Sequence, residues 1–247
     1  MVTPLLILRY SQEQYISRTK DNVHELRKKN RALEKSLEEN NLHNEELLFV
    51  LAEVIDLRDP YVLGHSKQVS QYASLIATEL GLNRKQIELI RKAGLLHDIG
   101  KLGIPEHILF KPARLSGEEY ELIKNHSKFG AELLSKSKSL RILVPAVHHH
   151  HERYDGLGYP DRLKDGAIPI EARILALADA IEAMASDRPY RTGMSADEIL
   201  DEIRMYKGTQ FDPLVVDAFI RIIHEKGQDV LQNDAREKQP EQLAQIQ

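Results

Sequence analysis

The stretch RKQIELIRKAGLLHD, residues 84–98, has the pattern that decides the fold. Its apolar residues recur every three or four positions, which predicts an amphipathic helix over its whole length. Asn83 and Gln86 have the spacing of a capping box at the start of that helix. His97 and Asp98, two side chains of metal-ligand type, stand side by side where the helix ends. The stretch therefore predicts a buried helix that carries polar chemistry at its carboxyl end.

The same helical period continues on both sides of this stretch, and the sequence shows no run of alternating strand pattern. Capping boxes, or Asp followed by Pro, mark further helix starts at Ser116–Glu119, Ser195–Glu198 and Asp212–Pro213. The predicted fold class is therefore all-α, a helical bundle preceded by a long N-terminal coiled-coil helix.

The N-terminal region carries a heptad repeat over residues 12–58. The first seam position of the repeat holds Ile16, Val23, Leu37 and Leu51. The second seam position holds Leu26, Leu33, Leu47 and Val54. Asn30 and Asn44 also occupy the first position, where a polar residue fixes register and favours a dimer. Two interpretations stay open: a homodimeric coiled coil, or a long solvated helix that lies on its own domain. A strict seam of this length favours the dimer.

The composition limits the class of protein. The chain has 247 residues, a net charge of −4 and no cysteine. No basic block suits a nucleic-acid polymer, and the absence of cysteine excludes disulfides, thiolate zinc sites and a cysteine nucleophile. The apolar residues 2–8 are too short for a signal peptide or a membrane span. We therefore expect a cytoplasmic protein.

Three segments are predicted along the chain. Residues 1–46 form the N-terminal segment with the dimerising helix, residues 47–224 form the globular domain, and residues 225–247 form a polar, disordered tail. No complete input domain precedes residue 12, so we expect an upstream sensor or a regulatory partner to act through the N-terminal helix.

A set of histidines and aspartates falls on otherwise apolar helix faces. Its members are His65, His97, Asp98, His126, His150, His151 and Asp179. A single histidine in such a place is usually a core imidazole, but an ionised Asp179 costs several kcal/mol unless it is paired or bound to metal. Donors without sulfur favour Fe, Mn or similar ions over structural zinc, and an aspartate between two ions can bridge them. The adjacent His148 and His149 are expected to face solvent or to support the ligands from outside.

Polar elements suited to a phosphate ester lie beside this set in the sequence. Lys101 follows Asp98 by three residues, the turn DGLGYP covers residues 155–160, and Arg188 and Arg191 follow the Asp179 helix. Arginine forks suit phosphate, and a glycine-containing turn lets the backbone approach a ligand closely.

The chain resembles the HD-GYP family, a branch of the HD-superfamily metal-dependent phosphohydrolases, over residues 47–222. DPYVLGHS, LLHDIGKLGIP, HHHERYDGLGYP, ADAIEAMASDRPYR and TQFDP carry this resemblance in order and spacing. It implies hydrolysis of cyclic di-GMP to pGpG, which in the family is often followed by GMP, two divalent metal ions held by the set above, and Asp98 as the bridging ligand.

The resemblance also implies roles for the residues around the metal ligands. Lys101 would contact the scissile phosphate and assist proton transfer. The substrate would meet Gly156, Tyr159, Pro160, Arg188 and Arg191.

The sequence departs from the family pattern at two positions. Tyr61 stands where some members have a Glu that helps to bind a third metal, so a two-metal site is expected. Glu182 stands where many have Asp, and it is a candidate for proton relay with Lys101. Two alternatives to the phosphodiesterase stay open: a non-catalytic cyclic dinucleotide receptor, and an HD hydrolase of another cyclic dinucleotide.

Overall fold

The computed structural model describes residues 4–58, 64–111, 113–187 and 192–231. Two compact units are present, Met1–Leu47 and Leu48–Gln247. Within the described ranges the all-α prediction is confirmed, since the only β-type pairing there is an isolated bridge between Lys207 and Phe211. The α-helices are α1 Pro4–Asp56, α2 His65–Glu79, α3 Arg84–Leu96, α4 Glu106–Leu109, α5 Gly117–Lys124, α6 His126–Ser135, α7 Val144–His149, α8 Ile170–Ala185, α9 Ala196–Met205 and α10 Pro213–Lys226.

The helix starts predicted from capping signals are confirmed. The three capping boxes are complete, with side chain and backbone bonded reciprocally at the starts of α3, α5 and α9. The Asp212 side chain caps α10 by accepting a hydrogen bond from the backbone N–H of Leu214. The helix predicted over residues 84–98 ends two residues earlier, at Leu96, because the chain turns into a 3-10 helix, Ile99–Gly103. His97 and Asp98 occupy that transition.

The first unit consists of helix. The long helix predicted over residues 12–58 is present as part of α1, which ends at Asp56. Its seam residues within this unit are exposed, at Val23, Leu26, Leu33, Leu37 and Leu47. Whether a partner helix covers them stays a prediction.

The second unit has one apolar core, to which α2, α3, α8 and α10 contribute the largest share of buried side chains. The 3-10 segment after α3 approaches α6 very closely, because a Cβ on Gly100 would lie 1.8 Å from the carbonyl oxygen of His126. Only glycine permits that approach. It brings the HDIGK segment, residues 97–101, against the first turn of α6.

The described structure extends beyond the domain boundary predicted at residue 224. Helix α10 runs to Lys226, a 3-10 helix follows at Gln228–Leu231, and the side chain of Leu231 joins the core. The rest of the predicted tail, residues 232–247, lies outside the described residues. In the part of the chain that the structure covers, every helix is too short or too polar to cross a bilayer.

Candidate metal centre

The predicted ligands lie at the ends of four helices and within a fifth. His65 and His126 are the first residues of α2 and α6, His97 and Asp98 follow α3, His150 and His151 follow α7, and Asp179 lies within α8. Their donor atoms form two groups whose members lie within 4.8 Å of one another: His65, His97 and Asp98 in one, His126, His150 and His151 in the other.

Asp98 lies between these two groups. Its Oδ2 is 3.4 Å from Nε2 of His97 and 3.7 Å from Nε2 of His65. Its Oδ1 is 3.5 Å from Nε2 of His126. One carboxylate oxygen therefore faces each group, as a ligand shared by two ions requires.

Asp179 lies beside the first group. Its Oδ1 lies 3.4 Å from Nε2 of His65 and 4.0 Å from Nε2 of His97. The neighbouring α8 residues Leu175, Ala178 and Ile181 belong to the core. The helix thus delivers a carboxylate into a cluster of imidazoles, where a cation would offset the free energy of burying its charge.

The orientation of three imidazoles fits metal ligands. Nδ1 of His97, His126 and His150 lies 2.7–2.8 Å from the backbone carbonyl three residues earlier, so each ring donates its N–H outward. Each Nε2 then presents a lone pair to the centre. Nε2 of His126 and Nε2 of His150 are 3.3 Å apart, and neither can donate to the other. A cation between such lone pairs removes their repulsion, and an outward Nδ1–H is the usual support of a metal-bound histidine.

The electrostatics of the second group favour neutral imidazoles. Burial, together with the neighbouring histidines, lowers the pKa of His150 well below its usual range and that of His151 to about 3. Burial also lowers the pKa of His126. Metal ligation needs the neutral ring, so the fold holds these three side chains in the form that binds.

The carboxylate between the groups is held ionised. Burial would raise the pKa of Asp98, but Lys101 and the facing histidines hold it well below its usual range. Nζ of Lys101 lies 2.7 Å from Oδ2 of Asp98. The predicted catalytic lysine therefore borders the centre, partly open to solvent.

Glu182 contacts Nδ1 of His65, whereas Asp98 and Asp179 lie near Nε2 of the same ring. Its Oε2 is 2.5 Å from Nδ1 of His65, and its Oε1 accepts from the Ser186 hydroxyl. Burial would lower the pKa of His65, but the hydrogen bond to Glu182 and the nearby carboxylates raise it to about 9. These contacts favour a role in positioning His65 over the proton relay predicted from the sequence.

The DGLGYP loop is tied to the ligand segment through backbone contacts. The backbone N–H of Tyr159 donates to the carbonyl of His151 at 3.2 Å. Glu152, which is buried, accepts from the N–H groups of Asp161 and Leu163 at 2.6 and 3.1 Å. A Cβ on Gly158 would lie 2.3–2.6 Å from backbone atoms of residues 151–153. Sequence reasoning missed Glu152, although its position directly after two predicted ligands was a usable signal.

Three positions that the sequence singled out, Arg188, Arg191 and Tyr61, lie outside the described residues. Gly156 is described, at a positive φ of 82°, in the turn that precedes Gly158. The ring of Tyr159 packs on His151, with 4.8 Å between ring centroids, and Pro160 follows it in the same loop.

A sequence profile for the family described as HD domain matches residues 49–215, which include every predicted metal ligand. The chain belongs to the HD domain family. The assignment to the HD superfamily drawn from the sequence is thereby confirmed.

Two relatives of this chain are each named as a cyclic di-GMP phosphodiesterase. The cyclic di-GMP phosphodiesterase response regulator RpfG of Xanthomonas campestris pv. campestris is 42% identical over 188 residues, which are 75% of this chain and 50% of the relative. The cyclic di-GMP phosphodiesterase of Thermotoga maritima is 38% identical over 228 residues, which are 87% of this chain and 62% of the relative. The chain thus spans between half and two thirds of the length of these relatives.

A solved structure shows the same fold. The crystal structure of a cyclic GMP-AMP specific phosphodiesterase from Vibrio cholerae, V-cGAP3, superposes with a TM-score of 0.62 at 20% identity. The superposition covers 77% of this chain and 51% of that one. The helical arrangement described above is therefore an HD-domain fold.

Proposed function

We propose that this HD domain is a metal-dependent phosphodiesterase that hydrolyses cyclic di-GMP to pGpG, and to GMP where a second cleavage follows, in bacterial second-messenger signalling. The observation that carries the proposal is Asp98, whose two carboxylate oxygens face two separate groups of imidazoles. The names of the relatives from Xanthomonas and Thermotoga support cyclic di-GMP as the substrate.

The centre would hold two divalent ions, Fe or Mn. His65, His97 and Asp179 would bind one ion, His126, His150 and His151 the other, and Asp98 both. A donor set of imidazole and carboxylate without sulfur suits these metals. Such ions, when bound, lower the pKa of water and stabilise negative charge on phosphoryl oxygens.

The remaining residues of the site would bind and orient the dinucleotide. Lys101, 2.7 Å from Asp98, holds an ammonium group beside the reacting phosphate, where it can stabilise charge and protonate the leaving 3′ oxygen. The loop with Gly156, Tyr159 and Pro160 would form one wall of the substrate site. Arg188 and Arg191 would hold its phosphates.

The test is a chromatographic assay on anaerobically purified protein loaded with Mn(II) or Fe(II). Cyclic di-GMP, 3′3′-cyclic GMP-AMP and cyclic di-AMP are supplied in parallel, and linear products are quantified. We expect conversion of cyclic di-GMP to pGpG at the highest kcat/KM of the three, and the amount of GMP formed measures the second cleavage. Faster turnover of another dinucleotide would reassign the substrate, and tight binding by the metal-loaded protein without any product would make the domain a receptor.

We also propose that α1 forms a homodimeric coiled coil with a second copy of this chain, through which an upstream sensor or partner regulates the domain. The support is the exposure of its seam leucines, Leu26, Leu33 and Leu47, each about 60% accessible. Apolar seams of this length are stable when a partner helix covers them.

A further inference from the structure

We propose that His148, His149 and Asp161 form an additional site for a divalent cation of the zinc type, separate from the two ligand groups above. Nε2 of His148 and Nε2 of His149 lie 3.2 and 3.0 Å from the same oxygen, Oδ2 of Asp161. The three donor atoms fall within 4.8 Å of one another and make a group of their own.

The distances are close to those between ligands of a single ion. Zinc binds imidazole nitrogen and carboxylate oxygen at about 2.0–2.2 Å, so two ligands at a tetrahedral angle lie roughly 3.3–3.6 Å apart. The two separations between nitrogen and oxygen, 3.2 and 3.0 Å, are a few tenths of an ångström shorter, so small side-chain rotations would admit the ion.

The outer contact of His149 is the one a bound metal needs. Its Nδ1 lies 2.9 Å from the carbonyl oxygen of Pro145, so the ring donates its N–H there and turns Nε2 toward Asp161. His97, His126 and His150 at the main centre have the same arrangement. A neutral His149 has a single N–H, which Pro145 already accepts, so its Nε2 cannot donate to the carboxylate. A metal cation can instead accept one electron pair from Nε2 of His149 and one from the carboxylate.

The donors fit a divalent transition-metal ion, for which Zn²⁺ is the probe. Two imidazoles and one carboxylate occur in open zinc sites, in which water occupies the remaining position. The side chains of His148 and His149 are mostly buried, while that of Asp161 is 48% exposed. Solvent can therefore reach the ion, and the ring of His149 is held by its contact with Pro145 before the ion binds.

The position of the site gives the ion a structural effect. His148 and His149 lie at the end of α7, directly before the ligands His150 and His151. Asp161 directly follows Pro160 of the DGLGYP loop. An ion here would join the loop to the end of the helix that directly precedes His150 and His151, and would restrain the loop.

The test measures the number of zinc ions bound per chain in wild type, Asp161→Asn and Asp165→Asn. Each protein is dialysed to equilibrium against buffered Zn²⁺, and its zinc is quantified by inductively coupled plasma mass spectrometry. Asp165 is the matched control, because it is an exposed aspartate of the same loop outside the group. We expect D161N to bind one zinc ion fewer per chain than wild type and D165N to bind the same number. Equal counts in all three proteins would overturn the proposal and leave a hydrogen-bonded triad without an ion.

A second readout separates the ion from a change in folding. Hydrogen–deuterium exchange of residues 159–163 is compared with and without Zn²⁺ in wild type and in His149→Gln. We expect zinc to slow exchange there at least several-fold in wild type and to have no effect in H149Q, whose circular dichroism stays that of wild type. Slowing of equal size in both proteins would assign the effect to the main centre and overturn the proposal.

Discussion

Both ring nitrogens of His65 face carboxylates from one helix, and Nδ1 lies 2.5 Å from Oε2 of Glu182. Its Nε2 lies 3.4 Å from Oδ1 of Asp179, three residues earlier in α8. Glu182 thus orients the imidazole through Nδ1, while Asp179 lies near Nε2, the nitrogen that faces the candidate metal centre. This arrangement fixes which nitrogen is offered to a metal and makes the ring a better electron donor.

Replacement of Glu182 by Gln should weaken metal binding more than it slows the chemical step. An amide cannot hold His65 as a carboxylate does, so we expect metal affinity to fall about 10–100-fold, with kcat recovering at saturating metal. Competition with a fluorescent chelator measures the affinity, and Glu171→Gln in the first turn of α8 is the matched control. Unchanged affinity with a low kcat would instead support the proton relay predicted from the sequence.

Replacement of Asp98 by Asn should remove activity and reduce metal content together. The amide offers one weak oxygen donor in place of two charged ones, so the ligand groups on its two sides lose their shared member. We expect hydrolysis to fall by at least about 100-fold and bound metal to drop to one ion per chain or fewer, by mass spectrometry. Asp201→Asn, at an exposed ion pair with Arg204, serves as the control. Retention of two ions in D98N would show that Asp98 is not the bridge.

Replacement of Gly158 by Ala should displace the DGLGYP loop. The new Cβ would meet backbone atoms, the nearest being the nitrogen of Arg153 at 2.3 Å, and backbone cannot move aside cheaply. Such overpacking costs about 1–3 kcal/mol, and each kcal/mol lowers Tm by about 2–4 °C in a protein of this size. Calorimetry measures Tm, and the assay should show a raised KM for the dinucleotide. Gly166→Ala, where a Cβ meets nothing within 4 Å, should leave both values unchanged.

The local signals in the sequence were sufficient for the helices but not for the contacts between them. Capping boxes at Asn83, Ser116 and Ser195 are decided by residues three apart, so they could be predicted directly. The role of Glu182 depends on where α2 meets α8, a relation between residues 117 positions apart. Periodicity places a side chain on a helix face and leaves its partner across the core unspecified.

The candidate site shows the same division. Residue type and helix-face pattern indicated the seven candidate ligands, because charged or imidazole side chains on apolar faces need a partner. They could not indicate that Asp98 directs one oxygen to each group, or that the backbone N–H groups of Asp161 and Leu163 are held by Glu152. Such facts depend on where the folded backbone comes close to itself, at Gly100 against His126 and at Gly158 against residues 151–153.

Replacement of Leu33 by Lys should dissociate the proposed dimer, whereas the same change at Leu42 should not. Both leucines lie on α1 and are about 60% exposed, but Leu33 occupies the heptad seam and Leu42 the outer face. Two seam lysines would bring like charges into a desolvated interface, so we expect the dimer dissociation constant to rise at least about 30-fold, which corresponds to a loss of about 2 kcal/mol. Sedimentation equilibrium over a range of concentrations measures it. A monomeric wild type at every concentration would overturn the dimer, and an equal effect of both substitutions would show that the seam is not its interface.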